Sequence, residues 1–207
     1  MNLVSQPAYT RLQTDERRRQ LLEAGAALFA EHAFEEISMR QIAQAAGVSK
    51  ALLYHYFPSK TDLFSAALED ASAQLQSLIE PRGEGAPIEQ LARSLDAYLR
   101  WVEDNARTWS KLMQSVATLT EAHVLVEGFR AHTMDMLLAA LIGKRKPRPA
   151  LRNAIKGWLG YMDAAILDWV QTEDLPRAQV QQLLMAAFGA ALGAAQQVDP
   201  TIKLRLD

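Results

Sequence analysis

Residues 37–64 read ISMRQIAQAAGVSKALLYHYFPSKTDLF, and the reading of this stretch decides the fold. Ser38 stands three residues before Gln41, the spacing at which a serine hydroxyl takes the N–H of the third helical residue while that residue's side chain reaches back to the cap. From that start Met39, Ile42, Ala43 and Ala46 recur at helical spacing, which predicts a helix of about two turns. Gly47 follows where a helix ends in a left-handed residue, a conformation that costs any residue with a Cβ. Ser49 can cap again, and Leu52, Leu53 and Tyr56 continue the pattern, so a second helix starts at once. Two helices joined this tightly cross steeply. Ala43 is small enough for the crossing, and Ile42, Ala46, Val48 and Leu53 fill the angle, which leaves Lys50, Ala51, Tyr54 and His55 facing outward. This is the arrangement of a helix-turn-helix, whose second helix enters the major groove of DNA.

At these residues the chain resembles the tetracycline repressor family of bacterial transcription regulators. The family's pattern, roughly S-x-R-x-I-A-x-x-A-G-V-S-x-x-x-L-Y-x-Y-F-x-x-K and a following L-F, is carried by Ser38, Arg40, Ile42, Ala43, Ala46, Gly47, Val48, Ser49, Leu53, Tyr54, Tyr56, Phe57, Lys60, Leu63 and Phe64, with Phe34 as the aromatic residue ahead of it. The resemblance covers about the first third of the chain, including a first helix from about Thr14 to His32. Beyond it only helix number and length agree. Two positions depart from the pattern: Ala33 stands where members usually have glycine, and Ile37 where they often have threonine. Both bear on the shape of the loop rather than on contact with DNA.

Roles in the reading head follow from helix-turn-helix geometry. Ser49, Lys50, Ala51, Leu52, Tyr54 and His55 lie nearest to bases and backbone. Lys50 suits guanine acceptors, and Ala51 or Leu52 suits thymine methyl groups. Ser38, Arg40, Tyr54 and Lys60 are expected as phosphate clamps, because helix amino termini add free N–H groups and a positive dipole end. On this reading Lys60→Ala weakens binding uniformly and lowers its salt dependence, whereas Lys50→Ala relaxes preference at one base position. Phe57 is expected in the core.

With 207 residues, 49% hydrophobic and 22% charged, the chain has the composition of a globular protein long enough for one or two domains. No apolar run looks long enough to cross a bilayer, the first residues are polar, and the expected location is the cytoplasm. The absence of cysteine excludes disulfides and thiolate ligands. A net charge of −2 looks wrong for a partner of nucleic acid until its distribution is considered. Arg11, Arg17, Arg18 and Arg19 cluster around the first helix, with Arg40, Lys50 and Lys60 following, and a few well-placed cations suffice for phosphate contact. Arg18 and Arg19 have an equal claim to be a solvated face paired with Asp15 and Glu16.

Past Phe64 the chain reads as helices, so the fold class is all-α with about nine helices. Residues 1–60, with a basic arm at 1–13, form the helix-turn-helix domain, and residues 61–207 a helical domain for effector binding and dimerisation. PRGEGAP at 81–87 is the clearest break. Later helices are expected over 88–104, 106–118, 120–142, 150–171 and 176–196, with a basic loop at 143–149 and an extended tail. Two apolar stripes mark the last two helices, and Leu159, Ile166, Leu184, Ala187, Phe188, Ala191 and Leu192 are expected in a dimer interface, the alternative being that the stripes are only the chain's own core. The family resemblance implies a homodimer built as a four-helix bundle, two helices from each subunit. Trp101, Trp109, Met113, His123, Arg130, Met134, Tyr161 and Asp163 are candidates for an effector pocket, with methionine and aromatic residues suiting an apolar ligand, the alternative being ordinary core for most of them and an exposed place for His123. The four histidines show no metal-ligand spacing, and neither metal nor cofactor is expected.

By analogy with the family, the expected protein is a repressor that binds a palindromic double-stranded DNA operator and is released by an unidentified small-molecule effector, with no membrane partner. A helical lipid- or small-molecule-binding protein of the same fold without DNA binding stays open. Its mark would be loss of Gly47, Arg40, Lys50 or Lys60, and all four are present. No enzyme is expected: there is no nucleophile with a base, no phosphate-cradling glycine loop and no carboxylate pair at metal spacing.

Overall fold

The computed structural model describes residues 8–80 and 85–206, with side chains from residue 14 onward. Most of the expected basic arm, the side chain of Arg11 and positions 81–84 of the break lie outside the described residues. Among them the chain forms nine α-helices and no strand: α1 (Ala8–Glu31), α2 (Met39–Ala45), α3 (Lys50–Tyr56), α4 (Lys60–Ile79), α5 (Pro87–Asp104), α6 (Ala106–Ser115), α7 (Thr120–Ile142), α8 (Pro149–Thr172) and α9 (Arg177–Val198). A 3-10 turn at Phe34–Glu36, absent from the expected elements, closes with the Ala33 N–H donating to the Glu36 carboxylate at 3.1 Å.

The chain divides into two compact units, 1–71 and 72–207. This division falls within α4, whose first residue, Lys60, closes the expected helix-turn-helix domain. A continuous helix leaves no glycine or proline at 71/72 for the sequence to show. The first unit buries Leu21, Ile42, Leu53 and Leu63 completely, with Phe57 at 2% exposure. Gly25 of α1 lies hard against α4, where a Cβ would stand 2.6 Å from Leu63 Cδ2.

The second unit is organised on α8 and α9, its most extensive helix pair, with α5 packed on α9. Trp158 of α8 donates its indole N–H to the Leu184 carbonyl at 2.9 Å, and its ring lies 4.7 Å from that of Phe188. This packing takes in the residues expected at a dimer interface. Leu159, Ile166, Leu184, Phe188 and Leu192 are buried in the chain's own core, and Ala187 and Ala191 pack against it half-buried. The stripes are intrachain because α8 and α9 present their large side chains to each other and to α5. What they leave exposed includes Gly157, Gly160 and Ala164 on α8 and Ala186, Ala190 and Ala194 on α9, beside the larger Tyr161 and Leu183.

α9, 22 residues long, is also apolar enough to cross a membrane by length and composition, with mean hydropathy 1.2 over an 18-residue window, contrary to the expectation that no run is. Its alanines raise the mean, while Val180, Leu184, Phe188 and Leu192 pack into the helical core. The extended tail is tied down. Ile202 is buried, and the Arg205 N–H donates to the Leu141 carbonyl at 2.8 Å.

Candidate nucleic-acid interface and effector cavity

The helix-turn-helix begins with the capping arrangement its sequence demands. Gln41 N–H donates to Ser38 Oγ at 3.3 Å, and Ser38 N–H donates to Gln41 Oε1 at 2.8 Å. The Ser38 hydroxyl also donates to Gln41 Oε1, so as a phosphate clamp it would have to leave its cap. Gly47 holds φ +65°, and the Val48 N–H returns to the Ala43 carbonyl at 2.9 Å, closing the turn. Ser49 then caps α3 by accepting from Leu52 N–H at 3.2 Å. Ile42, Ala43 and Leu53 are buried behind the pair, as expected, with Ala46 and Val48 half-buried.

The outward face holds Arg40, Ser49, Lys50, Ala51, Tyr54 and His55, all exposed, with Leu52 half-buried at its edge. Lys50 lies 5.4 Å from the Tyr54 ring centroid, one helical turn along, which keeps its ammonium on the exposed side of α3. Gln44, near the end of α2, is exposed as well.

Lys60 has a different place from the one its sequence position suggests. Its ammonium donates to the carbonyls of Phe34 at 2.6 Å and Ile37 at 2.8 Å, and sits 4.1 Å from the Phe34 ring centroid. Two of its three N–H donors therefore brace the loop between α1 and α2 against the start of α4. Phe29, Phe34 and Phe64 cluster beside this brace, with centroids 4.9 to 6.0 Å apart. The arginine run also divides. Arg19 pairs with Glu16 and Glu23 at 2.8 and 2.9 Å, Arg18 lies over the Phe57 ring at 5.1 Å, and Arg17 donates to Gln20. Arg19 is thus the solvated helix-face residue that the sequence left as an even alternative.

In the second unit a cavity of about 80 Å³ opens among α4, α5, α7 and α8. At roughly 10–15 Å³ for each water-sized group, it has room for about five to eight of them. Leu91, Leu95, Phe129, Met136, Leu137 and Met162 make its walls apolar, with Gln90, Ser94, Thr133 and Tyr98 as polar points and no charged side chain in the lining. Thr133 spends its hydroxyl proton on the Phe129 carbonyl. The Tyr98 hydroxyl accepts from the Trp109 indole at 3.0 Å, so its own proton remains to be donated. Burial, assisted by the negative charge of Asp163, pushes the Tyr98 phenol far up and keeps it neutral.

None of the eight expected effector residues lines this cavity. Trp109 stands behind it, holding Tyr98, and Arg130 and Asp163 neutralise each other: Arg130 Nε donates to Asp163 Oδ2 at 2.6 Å and another guanidinium nitrogen to Glu127 at 2.5 Å. Burial raises the Asp163 carboxyl above its ordinary value even though Arg130 pulls it back. Trp101, Met113 and Met134 are half-buried packing residues. His123 and Tyr161 are exposed. The sequence could have pointed to Met162, which lies on a helix already read as carrying an apolar stripe, and Tyr98 and Phe129 lie on helices that were expected. It had no means of separating residues that line a void from those that fill one.

The comparisons agree with this geometry. Residues 21–67 match the family described as bacterial regulatory proteins, tetR family, and residues 87–191 match the tetracyclin repressor-like C-terminal domain. The chain is 31% identical over 107 residues to the HTH-type transcriptional activator FasR of Mycolicibacterium smegmatis, covering 51% of this chain and 49% of that protein. It is 39% identical over 72 residues to the HTH-type transcriptional repressor KstR of Rhodococcus jostii, covering 35% of this chain and 32% of that one. It thus spans at most about half the length of these curated relatives. A crystal structure of a tetR-family transcriptional regulator from Streptomyces coelicolor superposes with a TM-score of 0.80 at 29% identity, covering 90% of this chain and 84% of that one. With both halves of the chain matched and a capped helix-turn-helix presenting an exposed cationic face, the chain belongs to the tetR family of bacterial transcriptional regulators.

Proposed function

We propose that this regulator is a cytoplasmic repressor that binds a palindromic operator as a homodimer and is released by a small, uncharged, largely apolar effector. The observation that carries the DNA-reading part is the exposed face of Arg40, Lys50, Ala51, Tyr54 and His55 on a helix pair whose other side is buried. The dimer reading is supported by the exposed faces of α8 and α9, where Gly157, Gly160, Ala164, Ala186, Ala190 and Ala194 allow close helix approach. Such a dimer would hold two recognition helices about 34–36 Å apart, one DNA turn. Repression is the reading that the family resemblance supports; similar proteins include both a named activator and a named repressor.

Release follows from one helix with two duties. Lys60, at the start of α4, is bonded to the loop ahead of α2, and Ile79, at its end, lines the cavity. An effector that displaces Ile79 shifts α4 and with it the reading head, provided it binds one arrangement better than the other. The lining favours an apolar ligand with one acceptor for the Tyr98 proton. Selection of bound sequences from random DNA, with the mass of the protein measured in the same buffer, tests the reading. A palindromic consensus bound by two chains supports it, and the absence of any enriched sequence favours the binding-protein alternative. Effector candidates are then ranked by the rise in melting temperature they cause.

A further inference from the structure

We propose a second ligand site, at the α7–α8 loop and the tail, for a small multiply charged anion of the phosphate class, typified by pyrophosphate. Residues 143–152 carry five cations and no acid, in a chain whose net charge is −2. The structure folds this run around a half-open cavity of about 120 Å³, with Arg145, Lys146, Arg148 and Lys203 in its walls over an apolar floor of Ile142, Leu151 and Ile202. Cations in a concave, low-dielectric mouth focus field far more than the same charges on a flat surface.

The walls are held in place. Gly143 turns the chain at φ +63° beneath the Arg205 guanidinium, which a Cβ there would approach to 3.0 Å. Arg145 Nε donates to the Ile142 carbonyl at 2.9 Å, and Arg148 donates to Thr201 Oγ1 at 2.6 Å. Both guanidinium groups are therefore preset and still have N–H donors to offer, because each carries five. Asp199, 3.3 Å from Arg148, is the one carboxylate in ion-pair range of these four cations among the described residues. Elsewhere Arg19, Arg100, Arg130 and Arg177 are matched by carboxylates, whereas Lys146 and Lys203 form no ion pair among the described residues. Two preset guanidinium forks and two ammonium groups around a small void suit the tetrahedral oxygens of a phosphate group.

The test is calorimetric titration of pyrophosphate into the full-length protein and into the double variant Lys146→Gln/Lys203→Gln. Both lysines are exposed, so the variant should melt as the wild type does without ligand. The expected result is saturable binding by the wild type that weakens several-fold as salt rises, with affinity at least about tenfold lower in the double variant. Lys146→Arg/Lys203→Arg should retain it, which separates lost charge from lost structure. Lys50→Gln, on the reading head, should bind as the wild type does. No binding by the wild type, equal binding by the double variant, or loss on Lys50→Gln instead would each overturn the proposal.

Discussion

Gly47 has nothing within 4 Å of where a Cβ would stand, so Gly47→Ala is free of collision and pays only for φ +65°. A loss of about 1–2 kcal/mol in the stability of the reading unit is expected, read by urea denaturation followed by helix signal. That position was legible from sequence because left-handed geometry is a local demand. Lys60 was not. Its ammonium binds carbonyls 23 and 26 residues earlier in the chain, and no local pattern separates such a brace from a phosphate clamp. Lys60→Met, which keeps the alkyl stem, should therefore destabilise the unit by about 1–2 kcal/mol, after allowance for partial exposure, and leave the salt slope of DNA binding unchanged. Arg40→Ala should do the reverse, lowering that slope by about 1 with no change in melting. Salt titrations of anisotropy on labelled DNA distinguish the two, and a lower slope for Lys60→Met would restore its role as a clamp.

Among the elements, caps and turns of α2 and α3 were readable residue by residue, while the stripes of α8 and α9 were readable as buried faces without showing what covers them; within the chain their large residues pack against each other and α5. Periodicity reports that a face is buried but not whether the chain's own α5 or another subunit covers it. The two sides of α9 now have separable consequences. Phe188→Ala opens a core site that is 1% exposed and should cost about 3–5 kcal/mol. On the proposed dimer, the wild type should sediment as a dimer and Ala190→Glu, on the exposed side, as a folded monomer. The α7–α8 ion pair gives a pH signature. Because burial raises the Asp163 carboxyl above 3.8, the folded state keeps that proton to higher pH than the unfolded chain does. This group's contribution to stability is full below that value and is lost as pH rises through the raised one. Urea midpoints measured upward from pH 3.8 should show that component in the wild type and not in Asp163→Asn.

Across the whole chain, a division into two parts was visible in the sequence, and no local signal marks residue 71. Residues 21–67 and 87–191 match two halves of one family, and the compact units meet inside α4. The reading head could be read because its spacing is dictated by a turn and a groove. The cavity of the second unit could not, since it is defined by what the side chains of four helices leave unfilled. The central claim is that the exposed face of α3 specifies a DNA sequence. Selection from random DNA with the wild type and with Lys50→Ala measures this directly. The wild type should enrich a palindrome with half-sites one helical turn apart, and Lys50→Ala should keep that spacing while losing preference at one position in each half-site, at about 1–3 kcal/mol. An unchanged consensus for Lys50→Ala, or no consensus for the wild type, would contradict the account.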